Sequence, residues 1–251
     1  LMKDINPGVE GSSPMYITPG SGGIYLSAND GVNGQELHYS QGDAFTTNMV
    51  KDIYPGLTNS SNPMWLTKLG TEMIFSADDG ENGRELWITD NTEEGTRMIK
   101  DINPGNNSSN PTGPMKEMGG YIYFSANDGT HGRELWRTDG TEAGTTLVRD
   151  IHEGENGSLS WGSTAHWHGE YTMTHNGYFY FSASDGESGE ELWRTDGTEE
   201  GTTMLVDANP GEVGSWPWWF STTDDKVYFT AWDGVARDLW AYWDNPGPII
   251  S

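Results

Sequence analysis

Three features of the 251-residue chain predict an all-β fold, a five-bladed β-propeller of four-stranded antiparallel blades. A tripeptide recurs as Glu36-Leu37-His38, Glu85-Leu86-Trp87, Glu134-Leu135-Trp136, Glu191-Leu192-Trp193 and Asp238-Leu239-Trp240. An aspartate recurs in step with it at Asp4, Asp52, Asp101, Asp150 and Asp207. Finally, no stretch combines a sustained 3.6-residue apolar period with helix caps, whereas short strand-like segments alternate with Asp-Gly and Pro-Gly turns. Successive tripeptides are 49, 49, 57 and 47 residues apart, the self-similarity that marks a repeat architecture.

The third copy shows the unit most clearly. A weak strand, Met115 to Met118, precedes an aromatic strand from Tyr121 to Ala126, a third from Arg133 to Thr138 and a last from Leu147 to Ile151. Turn residues separate them at Asp128-Gly129 and Asp139-Gly140, where glycine tolerates positive φ. Four antiparallel strands cannot bury both faces alone, so neighbouring units must stack, and radial stacking gives a propeller. The repeats run over residues 1–48, 49–97, 98–146, 147–203 and 204–251 of a single domain. The chain begins in the last segment of a unit, Leu1 to Ile5, and its fifth copy reaches only the third strand, Asp238 to Trp243. Pro246 and Pro248 beyond it cannot donate to a ladder, so Leu1 to Ile5 is expected to complete the last blade and close the fold.

The runs ELWRTDGTEAGTTLVRDI (134–151) and ELWRTDGTEEGTTMLVD (191–207) resemble the ELWxxDGT repeat family of exported and surface proteins of bacteria. The likeness covers nearly the whole chain. It weakens in the first copy, which has His38-Tyr39-Ser40-Gln41, and in the fifth, which has no Asp-Gly-Thr turn. The resemblance implies export. The blade count is also similar in architecture to the five-bladed tachylectin lectins, an analogy of fold alone.

Composition removes several functions. With 13 basic against 38 acidic residues and a net charge of −25, no basic surface is available for nucleic acid or for an anionic membrane. No apolar run is long enough to span a bilayer. The absence of cysteine excludes a disulfide scaffold, a thiolate zinc site and a cysteine nucleophile. Leu1 to Pro7 carries no apolar signal core and no initiator Met, so the sequence reads as a mature chain, extracellular or at the cell surface, whose signal peptide lies outside it.

Trp87, Trp136, Trp193 and Trp240 hold one repeated strand position and are expected in the core, with His38 as their substitute. Eight tryptophans fall elsewhere, and Trp161, Trp167, Trp216, Trp218 and Trp219 lie in or beside the loops between blades. One of those loops, in the fourth copy, is eight residues longer than its counterpart and contains Trp161, His166, Trp167 and His168. A long loop rich in Trp and His on a rigid scaffold is a usual place for binding. Tyr16, Trp65, Tyr171 and Trp219 align with one another at the start of the inner strands, where burial in the core is the favoured expectation.

Asp-Gly-x-x-Gly-x-Glu turns place Asp79 before Glu85, Asp128 before Glu134 and Asp185 before Glu191. Such pairs can share Ca²⁺, although acceptance of turn N–H groups by the aspartate is the simpler expectation. No cofactor is required, and no nucleophile elbow, phosphate loop or zinc motif is present. The reading is a non-enzymatic recognition module that takes a glycan or other small polar ligand through Trp65, Trp161, His166, Trp167, His168, Trp216, Trp218 and Trp219. The alternative is a structural, adhesive protein, calcium-stabilised and self-assembling through its N-terminal strand rather than monomeric.

Overall fold

The computed structural model describes residues 1–159 and 171–243. It contains five antiparallel sheets and, among the described residues, no helix. The first sheet comprises β1 (Met15–Pro19), β2 (Ile24–Asn29), β3 (Gln35–Ser40) and β4 (Asn48–Lys51) in sequential order. The second repeats this with β5 (Met64–Leu69), β6 (Glu72–Asp78), β7 (Arg84–Thr89) and β8 (Arg97–Lys100). The third holds β9 (Thr112–Met118), β10 (Tyr121–Asn127), β11 (Arg133–Thr138) and β12 (Thr146–Arg149). The fourth is β13 (Thr172–His175), β14 (Tyr178–Ser184), β15 (Glu190–Thr195) and β16 (Thr203–Val206). The fifth has β17 (Trp218–Thr223), β18 (Lys226–Trp232) and β19 (Arg237–Trp243). Five meandering sheets of this order are the blades of a five-bladed β-propeller, the class expected.

One detail departs from expectation. Leu1 to Ile5 forms no strand, and the fifth sheet has three strands among the described residues rather than a fourth supplied by that segment. The Lys3 ammonium donates to the Thr47 carbonyl and, at 3.2 Å, to Asn48 Oδ1, the contact that Lys51 makes with Thr96 in the next copy. The fifth copy carries Asp238, one methylene shorter, where the others have a glutamate that ties the outer strand down.

The chain divides into two compact units, Leu1–Met115 with Thr138–Thr145, and Lys116–Arg137 with Thr146–Ser251. In the first, Trp87 packs with Tyr25, Leu37, Ile53, Leu66, Met73 and Phe75. In the second, Trp193 packs with Tyr123, Leu135, Ile151, Leu159, Phe179 and Phe181. Trp87, Trp136, Trp193 and His38 are buried as expected, while Trp240 is only half-buried. Alternation along β14 explains the second cluster: Phe179, Phe181 and Ala183 lie on one face of the pleat.

A buried glutamate fastens each of the first four copies. Glu85 accepts hydrogen bonds from the Ile102 amide at 3.1 Å and from the Ser109 amide and hydroxyl at 2.8 and 2.5 Å. Glu36 does the same with Ile53 and Ser61, Glu134 with Ile151 and Ser158, and Glu191 with Ala208 and Ser215. Each latch pins the loop that leads from one outer strand to the next inner strand. Burial of the carboxyl outweighs these hydrogen bonds and pushes Glu36, Glu85 and Glu134 up to about 7.

A second fastening links successive copies. Lys51 donates to the Thr96 carbonyl at 2.7 Å, Lys100 to that of Thr145 at 2.9 Å, and Arg149 to that of Thr202 at 2.6 Å. The acceptor threonine in each case ends a turn stapled by a second hydroxyl, as in Thr89–Thr96 at 2.7 Å.

Candidate aromatic binding site

The latched loops deliver the inner strands in an unusual local conformation. Asn62, Asn110 and Trp216, each directly after a latch serine, open into left-handed backbone with φ of 46°, 47° and 48°, as does Ser13 after the equivalent Ser12 with 44°. Three residues further, Tyr16, Trp65 and Trp219 have φ of 53°, 58° and 58°. Asparagine visits this region readily, whereas a bulky aromatic there is a strained outlier. The register slips at the same place, between Met15 and Thr18, Met64 and Thr67, and Trp218 and Ser221, so each inner strand begins with a bulge.

The bulge decides where these aromatics point. Tyr16 is 42% exposed and Trp219 54%, against the expectation of core burial. Positive φ turns the side chain out of the pleat that would have buried it. Trp65 is half-buried with its ring against Gly113, where a Cβ would come within 2.7 Å of Cε3.

In the second unit the bulge gathers a cluster. Trp216, 46% exposed, donates its amide to the Glu190 carbonyl at 3.0 Å. Arg237 donates to the Trp216 carbonyl at 2.9 Å and lies over the Trp218 ring, 4.8 Å from its centroid. Trp218 is half-buried, 5.9 Å from the Tyr171 ring at a tilt of 44°, and its indole N–H is buried without an acceptor. Trp219 follows directly on the exposed side. Chemically the group offers aromatic faces for stacking and a guanidinium held in place by a backbone carbonyl and a ring.

Of the tryptophans singled out in the sequence, Trp216, Trp218 and Trp219 lie at the start of β17 in the second unit. Trp65 belongs to the other unit. Trp161, His166, Trp167 and His168 lie outside the described residues. Arg237 was missed by sequence reasoning. Its signal was available, since Arg84 and Arg133 hold the same place before Glu-Leu-Trp, and Arg84 donates likewise to the Asn62 carbonyl at 2.9 Å.

In the first unit the equivalent place is a cleft of about 230 Å³ lined by Met15, Tyr16, Ser27, Asn62, Pro63, Met64 and Arg84. A further cleft of about 420 Å³ in the second unit is lined by Ile151, His152, Glu153, Asp185, Gly186 and Glu187.

The paired carboxylates of the Asp-Gly turns serve separate tasks. Asp79 accepts the Glu81 and Asn82 amides at 2.9 and 2.7 Å and the Asn82 side chain at 2.8 Å. Asp128 and Asp185 repeat this with His131 and Ser188. Glu85, Glu134 and Glu191 are committed to the latches, so neither member of a pair turns towards the other. Among the described residues no group of three or more His, Asp or Glu is arranged to hold a metal ion.

No protein-family model matches the chain, and no curated protein does. Among solved structures it is similar to puromycin hydrolase, at 14% identity with a TM-score of 0.50, over 87% of this chain and 33% of that one. A mutant of the hydrolase in complex with a ligand gives 13% identity and a TM-score of 0.52, over 92% of this chain and 35% of the other. The chain therefore spans about a third of the hydrolase, and the likeness is one of fold. A GH43 endo-arabinanase from Bacillus licheniformis shares 14% identity with a TM-score of 0.34, over 94% of this chain and 97% of its own.

Proposed function

We propose that the chain is a non-catalytic recognition module of the ELWxxDGT repeat type, exported to the cell surface or beyond, that binds glycans through Trp216, Trp218 and Trp219. One observation carries the reading: Trp216 stands exposed at a left-handed position where other copies place Ser13, Asn62 and Asn110, and Trp219 is exposed at the position of Tyr16 and the half-buried Trp65. Backbone strain and solvent-exposed indole are both costs to a folded protein, and a ligand that covers the rings offsets them. Indole faces suit the C–H surfaces of pyranose rings, while Arg237, which lies over the Trp218 ring, supplies hydrogen-bond donors that orient hydroxyls.

The test is a glycan array followed by tryptophan-fluorescence titration of the best hit. Trp219→Ala is expected to weaken binding at least about tenfold, or about 1.4 kcal/mol, with unchanged thermal stability. An array without hits, or affinity indifferent to Trp216→Ala and Trp219→Ala, rejects the proposal.

A further inference from the structure

In the first two copies the residue before Glu-Leu ties down the bulged start of the inner strand. Gln35 does so in the first copy, where its Nε2 donates to the Ser13 carbonyl at 3.2 Å and to the Ser27 hydroxyl at 3.1 Å. Arg84 does so in the second. Its Nη1 donates to the equivalent Asn62 carbonyl at 2.9 Å and to the Ser76 carbonyl and hydroxyl at 3.2 and 3.4 Å, and its Nη2 to the Ser61 carbonyl at 3.1 Å. A neutral amide is thus sufficient for the tie, and the positive charge of Arg84 is not needed for it.

Among the described residues that charge meets no carboxylate at hydrogen-bond distance. The acceptors around Arg84 are all uncharged oxygens, and Asp78, its partner in the β6–β7 register, accepts the Gly80 amide at 2.8 Å. Burial pulls the guanidinium below its ordinary value, against the opposing pull of Asp78 and Tyr16. A half-buried cation without a paired anion is costly, and its cost falls when a carboxylate arrives.

Arg84 borders the cleft of about 230 Å³, whose other walls include the thioethers of Met15 and Met64, the Pro63 ring and Tyr16. All of these residues belong to the first unit, within Leu1–Met115. Thioether sulfur makes favourable contacts with aromatic rings, and a tyrosine ring stacks on another ring. We propose that this cleft binds a small aromatic carboxylate, with the ring against Met15, Met64 and Tyr16 and the carboxylate on Arg84. The walls select the ring, and the unpaired guanidinium selects the charge. The volume lies below the range of sites for drug-sized ligands, so the occupant is a single-ring acid. The inference does not rest on the glycan reading, which concerns other residues.

Two of the 10 methionines line the cleft, so their methyl groups report on it. In protein labelled with ¹³C at the methionine methyls, 3-phenylpropanoate is expected to shift the Met15 and Met64 signals along a saturating curve. Acetate, which lacks the ring, and 3-phenylpropanamide, which lacks the charge, should each bind at least about tenfold more weakly. Arg84→Gln copies the neutral tie of Gln35 and should lose the acid while staying folded. Tyr16→Asn removes a wall and places a residue tolerant of left-handed backbone at φ 53°, so binding should fall at least about tenfold while the thermal midpoint holds or rises. The proposal is overturned if the acid leaves Met15 and Met64 unmoved, if the amide binds as tightly as the acid, or if affinity survives Tyr16→Asn or a folded Arg84→Gln.

Discussion

Removing the Glu85 carboxylate tests how the loops are held. Glu85→Ala strands three donors, the Ile102 and Ser109 amides and the Ser109 hydroxyl, in a place from which water is excluded. Each unpaired donor costs about 1–3 kcal/mol, less the cost of burying the carboxyl itself, so a net loss of about 3–5 kcal/mol is expected. Glu85→Gln keeps the oxygen that accepts the Ser109 amide but sets an NH₂ against the Ile102 amide, while the Ser109 hydroxyl turns from donor to acceptor, so one bond is lost, about 1–2 kcal/mol. Burial raises the wild-type carboxyl to about 7, above its ordinary 4.5. The folded state thus binds this proton more tightly than the unfolded state, and the associated stability is complete below the unfolded value and lost as pH rises through the folded one. The gap between wild type and Glu85→Gln should therefore narrow between about pH 5 and about pH 8. Urea denaturation reads the global loss, and hydrogen exchange at the Ile102 and Ser109 amides reads the local one. An alanine variant within about 1 kcal/mol of wild type, or a gap that widens with pH, would refute the latch.

Other outcomes follow from the same contacts. Leu86→Ala should cost about 2–5 kcal/mol, whereas Leu239→Ala, at an exposed copy of the same position, should cost under about 0.5 in dilute monomer; equal losses in urea titrations would contradict the exposure difference. Trp216→Asn, which restores the residue found at Asn62 and Asn110, should raise stability by about 0.5–1 kcal/mol by relieving left-handed strain while weakening ligand binding; a destabilised variant with full binding would count against both roles. The thermal midpoint should peak between the two sets of carboxyls. Above the peak it falls as Glu36, Glu85 and Glu134 ionise near 7. Below it, stability is lost as Asp90 and Asp196, held low by the Thr92 and Thr198 hydroxyls and amides, take up protons. A midpoint climbing steadily from about pH 5 to about pH 8 would show that the glutamates do not titrate as described.

The repeat made the fold legible. Turn residues and aromatic strands recur at fixed spacing, so the sheets of residues 121–138 and 178–195 fall where Tyr121, Arg133 and Glu191 suggest. The buried position of Trp87 followed because stacked units need one large apolar side chain at a constant place. Other features depend on contacts the local sequence does not display. The latch joins Glu85 to Ser109 across 24 residues, and a glutamate six residues after an aspartate looks equally like half of a calcium pair. The outward turn of Tyr16 and Trp219 comes from a bulge that slips the register by backbone geometry, invisible to a period-two reading. The exposure of Leu239 was hidden for the opposite reason. Asp238-Leu239-Trp240 keeps the apolar pattern of the other copies, and the exposure of Leu239 shows only in the structure.

The proposed recognition role rests on Trp216, Trp218 and Trp219, and nuclear magnetic resonance can watch each of them. In protein labelled with ¹⁵N at tryptophan, titration with the best array hit should shift the indole N–H signals of Trp216, Trp218 and Trp219. Those of buried Trp87, Trp136 and Trp193 should stay in place. Shifts confined to the buried set, or a saturating ligand that leaves Trp216 and Trp219 unmoved, would contradict the assignment of this face as the binding site.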